Sequence, residues 1–263
     1  MGGGRGSLLP AERVARQAAA TCICAALYCI GSLLTAYIPT GYFVQFRPAI
    51  AIPTVFAVLF GPFVGGVGAA VGTFIASIYR YGHPFLTIFS GTPANLVGFW
   101  VLGHVVKRLK GTGARVLQHA SVGLGSVAIL TMLLPLSIEV KAVSLLLLVF
   151  LECTLLGLYR RFLRYRWACA LVVGGILGMA AGSLIIAGGL YLVASLLTPG
   201  VIRLPAEQAR GVAGFADPTH AVLFSFLIVF LPLPIALLVA IPVIETCWKV
   251  FPYLRAEFFE PAG

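Results

Sequence analysis

Long apolar runs are the feature that most constrains how this chain can fold. Residues 167–197, for example, contain no charged side chain. An α-helix needs roughly 20 apolar residues to cross the hydrocarbon core of a bilayer, and several runs reach that length. Because the runs do not alternate with polar residues, they indicate helices rather than the strands of a β-barrel. The eight runs are 17–38, 48–60, 62–80, 93–106, 118–136, 140–159, 167–197 and 220–248.

The composition agrees with a membrane protein and argues against a nucleic-acid-binding one. Hydrophobic residues make up 60% of the chain, charged residues only 10%, and the net charge is +10. Lys and Arg concentrate in the cytoplasmic loops of membrane proteins, and no basic helix with base-stacking aromatics is present. We therefore predict an all-α polytopic protein of the cell membrane. It is expected to be a bundle of six to eight transmembrane helices with a short, broken second helix.

The distribution of basic residues predicts the topology. If the N-terminus is cytoplasmic and all eight runs cross, thirteen basic residues lie inside and five outside, as the positive-inside rule requires. Both termini are then cytoplasmic. The inside residues are Arg5, Arg13, Arg16, Lys107, Arg108, Lys110, Arg115, Arg160, Arg161, Arg164, Arg166, Lys249 and Arg255. The outside residues are Arg47, Arg80, Lys141, Arg203 and Arg210.

A glycine-proline break at "FGP", residues 60–62, divides what would otherwise be one long apolar helix. A single crossing over 46–80 would put the N-terminal basic cluster on the opposite side from the other three clusters. Gly61 can end one helix, and Pro62 fits the first position of the next. We therefore predict a tight cytoplasmic turn between a short second helix, bent at Pro53, and a third helix. In transporters, a short, broken helix beside a cavity points to a small-molecule site.

The domain organisation is simple. We predict a flexible cytoplasmic tail at 1–12, a single transmembrane domain at 13–250 and a short cytoplasmic tail at 251–263. Glycines repeat at four-residue spacing in the run 167–197, and such small-residue faces let helices approach closely in lipid. We expect these glycines to pack within the molecule rather than between copies. They are Gly174, Gly178 and Gly182.

Polar side chains at the outer helix ends form the predicted substrate-binding site. Asn95 follows Pro93 and falls in the first turn of a helix, where free N–H groups favour an anion or a carbonyl. With neighbouring aromatic residues, such groups suit a planar, partly anionic ligand. An interfacial belt, a headgroup contact of Arg47 and helix capping by Asn95 remain alternatives. The candidate residues are Tyr42, Gln45, Arg47, Ser90, Thr92 and Asn95.

No catalytic or metal-binding constellation is visible in the sequence. The four histidines are scattered, and no paired acids, nucleophile–base pair or nucleotide-binding glycine-rich motif occurs. We expect no enzymatic activity, no metal and no cofactor. Two acids fall within apolar runs. Glu245 is predicted to pair with Lys249 four residues later, and Glu152 fits either a structural hydrogen bond or a proton relay.

Two segments resemble a known family. Residues 47–78, "RPAIAIPTVFAVLFGPFVGGVGAAVGTFIASI", and residues 92–111, "TPANLVGFWVLGHVVKRLKG", are similar to the substrate-binding S component of energy-coupling-factor (ECF) transporters. That family has a proline-led second helix ending at "FGP", a glycine-rich third helix, and a fourth with the pattern N-x-x-G-x-x-x-x-G. Here the pattern falls on Asn95, Gly98 and Gly103. The similarity covers residues 13 to about 111.

The resemblance implies a subunit that captures a vitamin or small metabolite in an outward-opening pocket. It also implies a coupling membrane subunit and two ATPase subunits as partners, with an alanine face of the first helix, here Ala15 and Ala19, docking on the membrane subunit. The family usually has six membrane helices, whereas eight runs occur here. Nickel and cobalt members carry an N-terminal histidine that "MGGGRG" lacks. A membrane sensor module and a stand-alone secondary transporter remain alternatives.

Overall fold

The chain forms an assembly of helices. The computed structural model describes residues 10–35, 47–81, 84–111, 138–162, 166–197 and 214–259, with isolated positions between 118 and 133. No strand occurs within these ranges. The α-helices are α1 (Pro10–Thr35), α2 (Ala51–Leu59), α3 (Pro62–Tyr81), α4 (Thr92–Leu109), α5 (Ile138–Phe162), α6 (Arg166–Leu197), α7 (Pro218–Phe230), α8 (Leu233–Val250) and α9 (Pro252–Phe259). Short 3₁₀ segments occur at Pro48–Ile50 and Gly214–Ala216, and a π-helical segment at Thr87–Gly91.

Four of the described spans are long and apolar enough to cross a membrane, which makes this an all-α membrane protein. They are Ala11–Thr35, Pro62–Arg80, Trp167–Leu196 and Pro218–Val250. The predicted count of six to eight crossings is not reached among the described residues, and the run 118–136 lies mostly outside them.

The last predicted run, 220–248, is not one regular helix. It forms α7 and α8, which are separated by Leu231 and Pro232. Prolines have no backbone N–H to donate to the helix, so Pro232 and Pro234 explain the interruption. At the N-terminus of α7, Pro218 is the first helical residue, and Asp217 caps the helix because Thr219 N–H donates to Asp217 Oδ1 at 2.9 Å.

The predicted turn at residues 60–62 is confirmed. Helix α2 ends at Leu59, Gly61 has a φ of 109°, and Pro62 begins α3. Such a φ is accessible to glycine without steric cost. The hairpin closes tightly, since a Cβ added at Gly65 would lie 2.4 Å from Ala57 Cβ.

The short helix α2 lies at the centre of the bundle. With its 3₁₀ start it forms an apolar helix over Pro48–Leu59, about 18 Å long at 1.5 Å per residue. It contacts α1, α3, α4, α8 and α9. Pro48 costs no hydrogen bond, because that residue lies at the helix start, and Pro53 is buried in the same interior. The expected short second helix is therefore present.

Glycines bring α4 and α6 into close contact, which is the most extensive helix pairing described. A Cβ added at Gly178 would lie 2.4 Å from the Gly98 carbonyl oxygen, and one at Gly174 would lie 2.9 Å from the Leu102 carbonyl oxygen. The predicted internal packing of these glycines is confirmed. Gly103 performs a similar role against α3, since its added Cβ would lie 2.8 Å from Pro62 Cα.

One end of the bundle is held by aromatic rings, and we call it the aromatic end, defined by Trp167, Trp248 and Phe258. The rings of Trp167 and Trp248 meet edge to face at 4.7 Å, and those of Trp248 and Phe258 lie 5.0 Å apart. Trp167 Nε1–H donates to Glu245 Oε1 at 2.7 Å. The prediction of an ion pair between Glu245 and Lys249 is wrong, since no such pair occurs among the described residues. The indole of Trp167 binds Glu245 Oε1 instead.

Helix α9 also ties two distant helices together at the aromatic end. Arg16 of α1 forms an ion pair with Glu257, and Lys110, just after α4, donates to the Phe258 carbonyl oxygen. Part of the predicted tail 251–263 is therefore a packed helix, with Leu254 and Phe258 buried in the main core.

Candidate functional site

A cavity lies at the opposite end of the bundle, which we call the cavity end, defined by Arg47, Thr87 and Asn95. It contains about 890 Å³ of space free of protein atoms, part of which is continuous with solvent. Its wall combines residues of α1, α3, α4, α6 and α7 with Arg47, the π-helical segment and Pro232.

Most of the cavity wall is apolar, as is typical of small-molecule sites. Helices α4 and α6 provide much of this surface, and the interruption between α7 and α8 adds Pro232. The larger apolar side chains of the wall are Ile50, Leu86, Phe99, Met179, Ile186, Leu190, Ile228 and Val229.

Asn95 of α4 forms a side-chain hydrogen bond with α1 in the wall of the cavity. Tyr28 Oη donates to Asn95 Oδ1 at 3.1 Å, and Asn95 Nδ2 donates to the Gly91 carbonyl oxygen at 2.7 Å. Tyr28 is 1% exposed, and its ring meets Phe99 edge to face at 6.3 Å. The amide is thus fixed in orientation, yet it keeps one N–H and one oxygen lone pair for a further partner.

The π-helical segment Thr87–Gly91 forms one side of the cavity. Such π-bulges are rare and are frequent at functional sites. Ser90 donates to the Leu86 carbonyl oxygen, and the hydroxyl oxygens of Thr87 and Thr92 lie 3.3 Å apart. Helix α6 approaches this backbone closely, since a Cβ added at Gly189 would lie 2.1 Å from the Phe89 carbonyl oxygen.

Helix α3 contributes two buried hydroxyl residues. Thr73 is 1% exposed and Ser77 is 4% exposed, and both line the cavity one helical turn apart. The first of these hydroxyl groups has no hydrogen-bond partner among the described residues. The wall is therefore rich in hydroxyl groups even though it is mainly apolar.

The charged groups in the described part of the wall are basic. Arg47, at the start of the Pro48–Ile50 turn, is the charged residue that lines the cavity, and no acidic side chain of the described residues does so. A guanidinium group donates hydrogen bonds and favours carbonyl or anionic partners. The described wall thus suits neutral or anionic ligands with hydrogen-bonding edges.

The structure brings together part of the predicted site. Arg47, Ser90 and Asn95 line the cavity. Thr92 contacts Thr87, which lines the cavity, through its hydroxyl group. Tyr42 and Gln45 lie outside the described residues.

Several wall residues were missed by sequence reasoning. Tyr28, Thr73 and Ser77 lie within apolar runs, where a single hydroxyl group gives little signal. Met179 and Ile186 of α6 lie beyond the segments that carried the family resemblance. The four-residue glycine spacing of α6 was the available signal, because it marks the face that packs against α4 and continues into the cavity.

Glu152, the other candidate in an apolar run, is not in the cavity wall. It lies on α5 and accepts a hydrogen bond from Ser121. No group of His, Cys, Asp or Glu that could hold a metal ion occurs in the part of the chain that the structure describes.

Comparison with known proteins identifies the class. Residues 14–163, more than half of the chain, match the family described as ECF-type riboflavin transporter, S component. The chain belongs to this family. It is a multi-pass membrane subunit of a transporter that captures a vitamin-type substrate, and it is not an enzyme. No curated protein and no solved structure matched the chain.

Proposed function

We propose that this subunit captures riboflavin, or a close flavin relative, in the cavity and presents it for uptake. The observation that carries the proposal is the family match together with a cavity to which the matched segment contributes residues that include Tyr28, Arg47 and Asn95, and to which α6 and α7 contribute most of the rest of the wall. Riboflavin combines a planar aromatic ring system, carbonyl-bearing edges and a hydroxylated chain. The apolar wall fits the ring, and the hydroxyl, amide and guanidinium groups fit the polar parts.

The charge of the wall supports a neutral or anionic substrate. Arg47 would repel a cationic vitamin, and the described wall has no carboxylate to balance a positive charge. Riboflavin is uncharged at neutral pH, whereas thiamine is a cation. We therefore expect flavins to bind and thiamine not to bind.

We propose that Arg47, Ser90 and Asn95 contact the ligand directly, and that Tyr42, Gln45 and Thr92 complete the same site. The first three residues share the cavity wall, which supports the assignment. Asn95 is the central residue, because its orientation is held by Tyr28 and Gly91 while it keeps free hydrogen-bonding capacity.

The basic residues support an orientation with the aromatic end in the cytoplasm and the cavity outside. Those at the aromatic end of the described helices greatly outnumber those at the cavity end, as the positive-inside rule expects. The basic residues at the helix termini of the aromatic end include Arg13, Arg16, Lys107, Arg108, Lys110, Arg166, Lys249 and Arg255. Both termini would then be cytoplasmic, and the ligand would enter from outside.

ATP-driven transport would need another chain to hydrolyse ATP, since this sequence contains no nucleotide-binding glycine-rich motif. We propose a coupling membrane subunit and two ATPase subunits. Ala11, Ala15 and Ala19 of α1 are exposed and form a small-residue stripe, which allows another helix to approach closely. We propose this stripe as the docking face for the membrane subunit.

Ligand binding is tested with purified protein in detergent. Titration with riboflavin should quench flavin fluorescence with a stoichiometry of one, and thiamine at the same concentration should leave the thermal stability unchanged. If no flavin binds, the proposed substrate is wrong.

Partner docking is tested separately by co-expression with candidate coupling and ATPase subunits. Ala19→Trp should prevent co-purification of these subunits and leave riboflavin affinity unchanged. Val14→Trp is the matched control, because Val14 is exposed on the same helix but lies about 100° around the helix from Ala15, outside the stripe. Equal co-purification by both variants would show that the stripe is not the docking face.

A further inference from the structure

Thr73 differs from most other serine and threonine residues in the described helices. Their hydroxyl groups typically donate to the carbonyl oxygen four residues earlier, as in Thr54, whose Oγ1 lies 2.8 Å from the Ile50 oxygen. Others that do so are Thr21, Thr35, Ser183, Ser195 and Thr246. Thr73 Oγ1 is buried and has no partner among the described residues.

Its position separates Thr73 from the other hydroxyl groups without a partner. Ser32 and Ser225 are also buried with unpartnered oxygens in the described helices, but neither lines the cavity. Thr73 does line it. The unmet hydrogen bond therefore lies in the wall of the proposed binding site.

The neighbours of Thr73 connect it to the Asn95 contact. A Cβ added at Gly91 would lie 3.3 Å from Thr73 Cγ2, so the methyl group packs against Gly91. The Gly91 carbonyl oxygen accepts the hydrogen bond from Asn95 Nδ2. On the adjoining position of α3, a Cβ added at Gly72 would lie 3.2 Å from Tyr28 Cδ1. Thr73, Asn95 and Tyr28 thus share one region of the wall.

We propose that Thr73 is a specificity-determining residue whose hydroxyl group forms a hydrogen bond with a carbonyl or ring-nitrogen edge of the bound ligand. A buried hydroxyl group without a partner is unfavourable, and a ligand in the cavity supplies the missing partner. The inference rests on the proposed capture function and adds a residue on α3 to the recognition by Arg47, Ser90 and Asn95.

This role predicts effects of opposite sign on the free and the ligand-bound protein. In Thr73→Val the shape is kept and the hydroxyl group is lost. Without ligand, the variant should be as stable as the wild type or more stable, because an unpartnered polar group is removed. Riboflavin affinity should fall about three- to tenfold, the effect of one hydrogen bond.

The experiment removes the hydroxyl group at position 73 in two pairs of side chains, threonine against valine and serine against alanine. Riboflavin dissociation constants and ligand-free melting temperatures are measured for the wild type, Thr73→Val, Thr73→Ser and Thr73→Ala. Thr73→Ser should bind riboflavin more tightly than Thr73→Ala, by a factor similar to that between the wild type and Thr73→Val. Thr54→Val is the control, because that hydroxyl group already has a partner and lies outside the cavity wall. Its riboflavin affinity should stay within about twofold of wild type.

The outcomes separate this inference from the proposed function. If the wild type binds riboflavin and both hydroxyl deletions bind equally well, Thr73 does not contact the ligand, although the capture function stands. If both deletions instead lower the ligand-free melting temperature, the hydroxyl group is structural and the inference is wrong. If the wild type binds a different neutral or anionic vitamin, the same variants are titrated with that compound. If it binds none, both proposals fail.

Discussion

The aromatic end and the cavity end of the bundle are held together in different ways. At the aromatic end, side chains from separate helices contact one another through Trp167, Trp248, Glu245 and the Arg16–Glu257 ion pair. At the cavity end, many polar side chains bond to their own helix, as Ser90 does. The first arrangement fixes helices relative to one another. The second leaves a concave wall with polar capacity for a ligand.

Stability and recognition are therefore expected to depend on different residues. Changes at the aromatic end should lower stability and leave ligand affinity intact. Changes at the cavity end should lower affinity with a smaller effect on stability. The contact of α4 with α6 runs between the two ends, so a change there should affect both.

The largest effect is expected for Gly178→Ala. The added Cβ would lie 2.4 Å from the Gly98 carbonyl oxygen, and backbone atoms cannot move aside cheaply. Overpacking of this kind typically costs about 1–3 kcal/mol and at times more. We expect a marked fall in the folded fraction after heating, measured by size-exclusion chromatography, and weaker riboflavin binding.

Gly188→Ala is the control in the same helix, because nothing lies within 4 Å of its added Cβ. It should be neutral or slightly stabilising, since alanine is favoured over glycine in a helix. Equal stability of the two variants would contradict the close contact of α4 and α6.

A smaller effect on stability is expected for Trp167→Phe at the aromatic end. The variant loses the hydrogen bond to Glu245 and leaves a partly buried carboxylate with one partner fewer. We expect a loss of about 1.5 kcal/mol in stability, because the carboxylate is only partly buried, and an unchanged riboflavin dissociation constant. The control is Trp100→Phe, since Trp100 is 46% exposed. A weakened affinity in Trp167→Phe would break the proposed division between the two ends.

Tyr28→Phe tests the cavity end. It removes the hydrogen bond that orients Asn95, so riboflavin affinity should fall several-fold while stability falls by about 1 kcal/mol. Fluorescence titration and thermal unfolding measure the two quantities. Tyr191→Phe is the control, because Tyr191 is 44% exposed on α6. An unchanged affinity would mean that Asn95 is oriented without Tyr28 or does not contact the ligand.

The smallest effect concerns Asp217, at the start of α7. The hydrogen bond from Thr219 N–H stabilises the ionised carboxylate and lowers the pKa of Asp217 in the folded protein. The associated stability is present above the ordinary aspartate pKa of about 3.9 and is lost as the pH falls through the lower folded value. Asp217→Ala should therefore have a slightly lower melting temperature than wild type at a pH of about 6.

The pH dependence of this difference checks the cause. It should shrink as the pH falls below about 3.9, because the wild-type carboxylate is then increasingly protonated. Asp217→Asn, which keeps a capping oxygen but does not titrate, should lack this pH dependence. A difference between Asp217→Ala and wild type that is constant over the whole pH range would rule out the carboxylate as its source.

Local chemistry explains which parts of the fold were predictable. Glycine and proline have specific backbone requirements, so the turn at Gly61 and Pro62 follows directly from the sequence. The same holds for the cap of α7 by Asp217. Asn95 was identifiable because an amide in the first turn of an apolar helix is a local feature.

Contacts between distant segments were not predictable in the same way. Nothing near Glu245 in the sequence indicates that Trp167 would take its carboxylate in place of Lys249. Likewise, Tyr28 and Thr73 enter the cavity wall only because α1, α3 and α4 pack together. A hydroxyl group within an apolar run does not reveal which neighbour it will meet.

The glycine contact between α4 and α6 has a mechanical consequence. Where a peptide group of one helix rests directly on the backbone of another, there are no flexible side chains between them to rearrange during sliding. We expect α4 and α6 to move as one rigid body, a fixed frame that keeps its geometry while a ligand enters and leaves. Any hinge would then lie in the elements around this frame, and such a motion would not require the two helices to separate.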